Sequence, residues 1–182
     1  MKDGNNDIKA YDRKIILPAA ALVMVLICVV TALSGNGRNT DEQAAAKLPR
    51  DDAVVISKGE SLVIPVAEIN DEAKFYPIIV DGADMEVLAV RASDGTIRTA
   101  FNTCQSCYTS GAGFYSFEKG ELVCNNCGFR FSPDEVEIAS GGCNPWPIFE
   151  ENKTVSDDSI AIPYDFLAES KEIFANWKTA VH

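Results

Sequence analysis

Cys104-Gln105-Ser106-Cys107 and Cys124-Asn125-Asn126-Cys127 are two CxxC pairs separated by residues 108–123. Two tight turns at this spacing can bring four sulfur atoms to the corners of one tetrahedron, the geometry that zinc and iron adopt with thiolates. A further cysteine follows in the run GGCNP at residues 141–145. The pattern predicts a metal site, and its candidate ligands are Cys104, Cys107, Cys124, Cys127 and Cys143.

Four interpretations of the two pairs fit their spacing. They are a closed tetrahedral zinc site, an iron site (mononuclear or [2Fe–2S]), two disulfides, and a redox pair of the thioredoxin type. The thioredoxin type is disfavoured because its CxxC belongs to a βαβ unit, which the sequence does not indicate. Two CxxC pairs at ribbon spacing favour metal over disulfides. Cys143 is a fifth ligand, an alternate ligand or a small buried thiol.

Other chemistries are excluded by what the sequence lacks. Neither CxxC is followed by histidine, which excludes covalent c-type haem. The one histidine is His182, so a Rieske cluster and a histidine-dependent hydrolase are both disfavoured. No GxSxG, P-loop or dinucleotide motif occurs. The net charge of −11 disfavours nucleic acid as a partner. We therefore expect a metal-binding or electron-transfer subunit, not an enzyme.

An apolar run at residues 15–33 predicts a membrane anchor. It carries no charge, and at about 1.5 Å per residue it just spans a hydrocarbon core of about 30 Å. Arg13 and Lys14 precede it, which places residues 1–14 in the cytoplasm and the remainder outside. A cleaved signal peptide is the alternative, but the run exceeds the usual apolar region of such peptides. Cys28 is read as a buried membrane thiol, because Ile27 before it does not fit a lipobox.

Short β-type runs rich in Val, Ile, Tyr and Phe follow a polar linker. Asp81-Gly82 and Asp94-Gly95 mark tight turns between them. Apolar residues at helical spacing over Asp165–Trp177 predict an amphipathic helix that packs on the sheet. The predicted strands are Ala53–Ile56, Ser61–Val66, Lys74–Val80, Glu86–Arg91, Thr96–Phe101, Gly113–Phe117, Glu121–Val123 and Ile160–Pro163.

These features predict a mainly β (α+β) fold. A single N-terminal transmembrane helix precedes a small β-rich domain with a rubredoxin- or zinc-ribbon-like metal site and a C-terminal amphipathic helix. The predicted organisation is a cytoplasmic N-terminus at 1–14, a transmembrane helix at 15–33, a linker at 34–52 and an extracytoplasmic metal-binding domain at 53–182.

Several short motifs beyond the CxxC pairs are shared with a known protein family. They are Phe75-Tyr76, Asp94-Gly95, Arg98-Thr99-Ala100-Phe101, Gly113-Phe114-Tyr115, Val123-Cys124, Cys127-Gly128 and Gly141-Gly142-Cys143-Asn144-Pro145. Over about residues 60 to 170 the chain resembles the FtrD-like membrane iron–sulfur proteins.

The resemblance implies an extracytoplasmic domain that binds an iron–sulfur cluster or iron through the five named cysteines. Relatives occur with ferrous-iron uptake systems that contain a permease, a periplasmic metal-binding protein and a cupredoxin-like partner. It therefore implies electron transfer or metal handling in iron acquisition, with a membrane permease or a periplasmic or extracellular metal-binding protein as partner. The alternative is a redox-silent zinc ribbon that serves as an assembly subunit of a membrane complex. A disulfide-bonded sensor or adhesion domain is a third possibility.

Overall fold

The structure, a computed structural model, describes residues 50–138 and 140–180. The predicted cytoplasmic segment 1–14, the predicted transmembrane helix 15–33 and residues 34–49 of the predicted linker lie outside the described residues, and so does Cys28. Within the described ranges, no helix is both long and apolar enough to cross a membrane. The described residues make up most of the predicted domain 53–182.

The described part of the chain is mainly β and contains one short α-helix, α1 (Tyr164–Glu169). Its strands are β1 (Val54–Val55), β2 (Ser61–Pro65), β3 (Lys74–Val80), β4 (Ala83–Arg91), β5 (Ile97–Cys104), β6 (Tyr115–Glu118), β7 (Glu121–Cys124), β8 (Arg130–Phe131), β9 (Pro145–Pro147), β10 (Thr154–Val155) and β11 (Ser159–Pro163). Short 3-10 turns connect several of these elements.

The strands form three sheets. A central five-stranded sheet has the order β1-β3-β4-β5-β9, and two three-stranded sheets have the orders β10-β11-β2 and β6-β7-β8. In the central sheet β1 is parallel to β3, and the other neighbours are antiparallel. The β3–β4 hairpin turns on Asp81 (φ 49°) and Gly82 (φ 80°), as the Asp-Gly signal predicts.

Two apolar cores lie on opposite faces of the central sheet. Strand β4 contributes to both, because alternate residues of a strand point to opposite faces. Val87 belongs to the larger core, with residues of β2, β11 and α1. Leu88 belongs to the smaller core, with residues of β6, β7 and β8. The smaller core also contains Cys104 and Cys124, so the predicted ligands are part of the hydrophobic packing.

Every predicted β run overlaps an observed strand, which confirms the mainly β fold. The limits differ by up to three residues, as before the first CxxC pair, where β5 continues to Cys104 and delivers the cysteine directly. The sequence did not indicate β8, β9 or β10. Each has two or three residues, too few for an alternating pattern to be recognised.

The predicted C-terminal helix Asp165–Trp177 is shorter than expected. The α-helix ends at Glu169, and a 3-10 turn, Lys171–Phe174, follows. Ser170 lies at the break, where its hydroxyl donates a hydrogen bond to the carbonyl oxygen of Phe166 at 2.9 Å. Serine side chains compete with the helix for backbone groups in this way. The apolar residues still face the larger core, in which Leu167, Phe174 and Trp177 are buried.

A buried ion pair joins the two ends of the long loop 137–153, which contains Cys143 and the short strand β9. The ammonium group of Lys153 donates to both carboxylate oxygens of Glu137 at 2.7 Å, and the two side chains are only 2% and 8% exposed. The backbone N–H of Thr99 in β5 also donates to Glu137 at 2.7 Å, and Lys153 donates to the Thr99 hydroxyl at 2.8 Å. The start and the end of the loop are therefore tied to the central sheet.

Replacing Lys153 tests this anchor. We expect Lys153→Met to lower the free energy of unfolding by about 3–5 kcal/mol, because it leaves the buried Glu137 carboxylate unpaired. Lys171→Met is the matched control, since Lys171 pairs with Asp81 at a partly exposed position where the loss is below about 1 kcal/mol. Urea denaturation followed by tryptophan fluorescence measures both. Equal losses for the two variants would contradict the anchoring role.

Candidate metal centre

The first CxxC pair begins at the end of β5. Cys104 is the last residue of that strand and is fully buried. The N–H of Cys107 donates to the carbonyl oxygen of Cys104 at 3.2 Å and closes the turn. The N–H of Cys104 donates to the carbonyl oxygen of Gly113 at 2.7 Å. A side chain at Gly113 would overlap the backbone of Cys107, so only glycine permits this close return of the chain.

The second pair begins in the same way at the end of β7. The N–H of Gly128 donates to the carbonyl oxygen of Cys124 at 2.8 Å, and Gly128 adopts a left-handed conformation with φ 73°. The first pair has Tyr108 in the corresponding place. There the chain continues as a 3-10 turn, Tyr108–Ser110, so the two turns close differently.

Strand β9 brings Cys143 to the two pairs, because Pro145 lies opposite Cys104 at the end of β5. The side chain of Gln105 then holds the loop, since its oxygen accepts a hydrogen bond from the Gly141 N–H at 2.6 Å. The Ser106 hydroxyl donates to the Gly142 carbonyl oxygen at 2.6 Å. The two residues between the first pair of cysteines thus position the fifth cysteine, which the sequence did not indicate.

All five sulfur atoms gather in one cluster, and none of the five is in a disulfide. The Sγ atoms form two groups, and within each group all lie within 4.8 Å of one another. Cys107 belongs to both groups, one with Cys104 and Cys143 and one with Cys124 and Cys127. The Sγ atoms of Cys127 and Cys143 are 3.7 Å apart. That separation matches the edge of a tetrahedron with metal–sulfur bonds of about 2.3 Å, roughly 3.8 Å, and far exceeds a disulfide bond.

The cluster is buried on one side and open on the other. Cys104, Cys107 and Cys124 are buried, Cys143 is intermediate and Cys127 is exposed. A hydrogen bond from the Cys124 thiol lowers the pKa of Cys104 to about 5, although burial opposes this. The same hydrogen bond, followed by burial, raises the pKa of Cys124. The two buried thiols are therefore coupled, and Cys104 loses its proton more readily than Cys124.

Backbone amides support the sulfurs as well. The N–H groups of Ser106 and Cys107 also lower the pKa of Cys104. For Cys127 burial alone would raise the pKa, but the Phe129 N–H and the neighbouring thiols lower it. Among the main contacts that set the pKa values of the five thiols, none comes from a lysine or arginine. Several thiolates in this cluster would therefore need a bound cation to balance their charge.

Tyr115, which the sequence did not single out as a site residue, lies beside three of the sulfurs. Its hydroxyl donates to the carbonyl oxygen of Cys143, and it lies close to the Cys104 sulfur. Burial and these sulfurs raise its pKa, so it remains a hydrogen-bond donor. Asn102 holds it in place, because the Asn102 side chain accepts from the Tyr115 N–H at 2.7 Å. Asn102 in turn donates to the buried carboxylate of Glu86 at 2.6 Å.

Removing the Tyr115 hydroxyl tests this contact. We expect Tyr115→Phe to lower the free energy of unfolding by about 0.5–1.5 kcal/mol, because it removes one hydrogen bond at a part-buried position. It should also speed alkylation of Cys143 by iodoacetamide in the metal-free protein. Tyr76→Phe is the matched control, since the buried Tyr76 hydroxyl has no hydrogen-bond partner among the described residues. Similar behaviour of the two variants would contradict the role of Tyr115.

The fold and the site define a small β-rich domain with a cluster of sulfur donors. A family model described as "Membrane iron-sulfur containing protein FtrD-like" matches residues 69–174. The chain therefore belongs to the FtrD-like family of membrane iron–sulfur containing proteins, which confirms the resemblance seen in the sequence. No curated protein and no solved structure matches the chain. The matched residues include all five clustered cysteines.

Proposed function

We propose that this protein is a membrane-anchored, extracytoplasmic iron–sulfur or iron protein that serves electron transfer or metal handling in iron acquisition. The observation that carries the proposal is the gathering of five free cysteine sulfurs from three separate chain segments into one cluster. The family description, which names a membrane protein containing iron and sulfur, supports the type of metal and the membrane location.

The donor set fits such a group. Cysteine thiolates are the ordinary ligands of iron–sulfur clusters and of mononuclear iron sites. Cys104, Cys107, Cys124, Cys127 and Cys143 would hold the group, which when bound supplies one-electron redox chemistry. Backbone N–H groups and the Tyr115 hydroxyl hold the sulfurs in place, and the smaller core excludes water from the buried side. Hydrogen bonds to the sulfurs and solvent exposure set the potential of such centres.

We also propose that the protein has no small-molecule substrate of its own. The segments that carry the cysteines, residues 104–117, 122–129 and 138–149, contain no Asp, Glu, His, Lys or Arg. General acid–base catalysis most often relies on such side chains close to the reacting atoms. A partner would therefore supply or accept the electron or the metal. A membrane permease or a periplasmic or extracellular metal-binding protein suits this role.

Metal analysis of cysteine variants tests the proposal. The full-length protein is purified without oxygen, and its iron, acid-labile sulfide, zinc and visible absorption are measured. We expect bound iron and a visible band that weakens on reduction. Cys104→Ser and Cys124→Ser should each lose most of the iron, because each removes a buried ligand. Cys28→Ser is the matched control, since Cys28 belongs to the predicted membrane segment and should leave the iron unchanged.

Two results would contradict the proposal, and each has a clear meaning. A colourless protein with stoichiometric zinc would favour the zinc-ribbon assembly subunit. A metal-free protein whose cysteines resist alkylation until a reductant is added would favour disulfides.

A further inference from the structure

The segments that carry the cysteines differ from the rest of the chain in charge. Residues 104–117, 122–129 and 138–149 contain no acidic or basic side chain, whereas 24% of the whole chain is charged. The chain is also acidic, with a net charge of −11. The cluster is thus framed by three uncharged segments in a chain whose overall charged fraction is ordinary.

The open side of the cluster lies within these segments. Cys127 is exposed and Cys143 is intermediate, and their sulfurs are the 3.7 Å pair described above. Gly128, Gly141 and Gly142 flank them and are exposed. We call the surface formed by Cys127, Gly128, Phe129, Gly141, Gly142 and Cys143 the sulfur face. Because three of its six residues are glycines, another molecule can approach the sulfurs closely.

Phe129 gives the sulfur face an apolar contact. Phe129 is 62% exposed. Among the large hydrophobic residues that the structure describes, only Val55 is equally exposed. Phe129 lies two residues after Cys127 in the chain, and its ring stacks on that of Phe131 with ring centroids 6.4 Å apart. Exposed aromatic side chains are enriched in protein interfaces.

Polar groups around the sulfur face are neutral or paired. Amide and hydroxyl hydrogen bonds from Gln105 and Ser106 hold Gly141 and Gly142. Arg130, the nearest basic residue along the chain, pairs with Glu121 at 3.2 Å and Glu118 at 3.5 Å. The six residues of the sulfur face carry no charge themselves, so none of them adds a charge that would have to be desolvated on contact.

We propose that the sulfur face docks a redox partner protein that presents its own electron donor or acceptor beneath an uncharged, apolar patch. This inference rests on the proposed electron-transfer function. One electron would pass between the reduced centre and the oxidised partner, so that one is oxidised and the other reduced by one electron, with no bond formed or broken. Interfaces between electron-transfer proteins are small, below about 1,200 Å², and the centres of interfaces are depleted of charge.

A lipid surface fits the sulfur face less well. Anionic headgroups attract clusters of lysine and arginine, and the three cysteine segments contain neither. The acidic character of the chain would further oppose approach to anionic lipid. The observations therefore favour a protein partner.

Electron self-exchange tests the docking with a defined probe, a second copy of the full-length protein. An apolar patch can pair with the same patch on another molecule, so oxidised and reduced copies should exchange electrons through their sulfur faces. Exchange is measured by NMR line broadening at high salt, where repulsion between the acidic chains is screened. We expect Phe129→Glu to slow self-exchange by about tenfold or more, because a carboxylate is placed at the point of contact.

Val155→Glu is the matched control, because Val155 is 58% exposed on β10, which belongs to the sheet of the other core. It should leave the exchange rate unchanged, and Phe129→Leu should preserve most of it. Equal exchange rates for Phe129→Glu and the wild type would overturn the docking proposal. So would a variant that binds phosphatidylglycerol vesicles less well than the wild type while its exchange rate is unchanged. Failure of the wild-type centre to take up an electron would instead contradict the proposed function.

Discussion

Five cysteine sulfurs lie together where β5, β7 and the loop before β9 meet, and the surrounding structure depends on this convergence. Three of the five are buried, and two are fully enclosed in the smaller core, where a thiolate without a counter-charge is unfavourable. Hydrogen bonds from neighbouring thiols and amides reduce that cost, but they add no positive charge. A bound metal cation would supply that charge and would link the three chain segments directly. In small domains such binding free energy contributes directly to folding.

The two faces of the central sheet have different roles. The larger core contains aliphatic and aromatic side chains from β2, β11 and α1, and it supplies most of the hydrophobic stabilisation. The smaller core includes cysteines among its packed residues, so its integrity is tied to the state of the site. Buried polar contacts from the central sheet then position the ligands. The Glu137–Lys153 pair fixes the Cys143 loop to β5, and Asn102 fixes Tyr115.

Much of this arrangement could be predicted from the sequence, for identifiable reasons. Strands of five or more residues showed β composition, and Asp-Gly pairs located the β3–β4 and β4–β5 turns. CxxC spacing located the ligands, because each pair begins at the last residue of a strand. The antiparallel pairing of β9 with β5 could not be predicted, since a Pro-Trp-Pro segment has no strand pattern. The contacts of Gln105, Tyr115 and Glu137 depend on residues distant in the chain, which local patterns do not reveal.

X-ray absorption at the metal edge of the anaerobically purified full-length protein shows which atoms bind the metal. If the clustered cysteines are the ligands, the first shell contains only sulfur scatterers at about 2.3 Å from the metal. Nitrogen or oxygen ligands in that shell would contradict this assignment, and so would a sulfur absorption edge that shows the cysteines joined as disulfides.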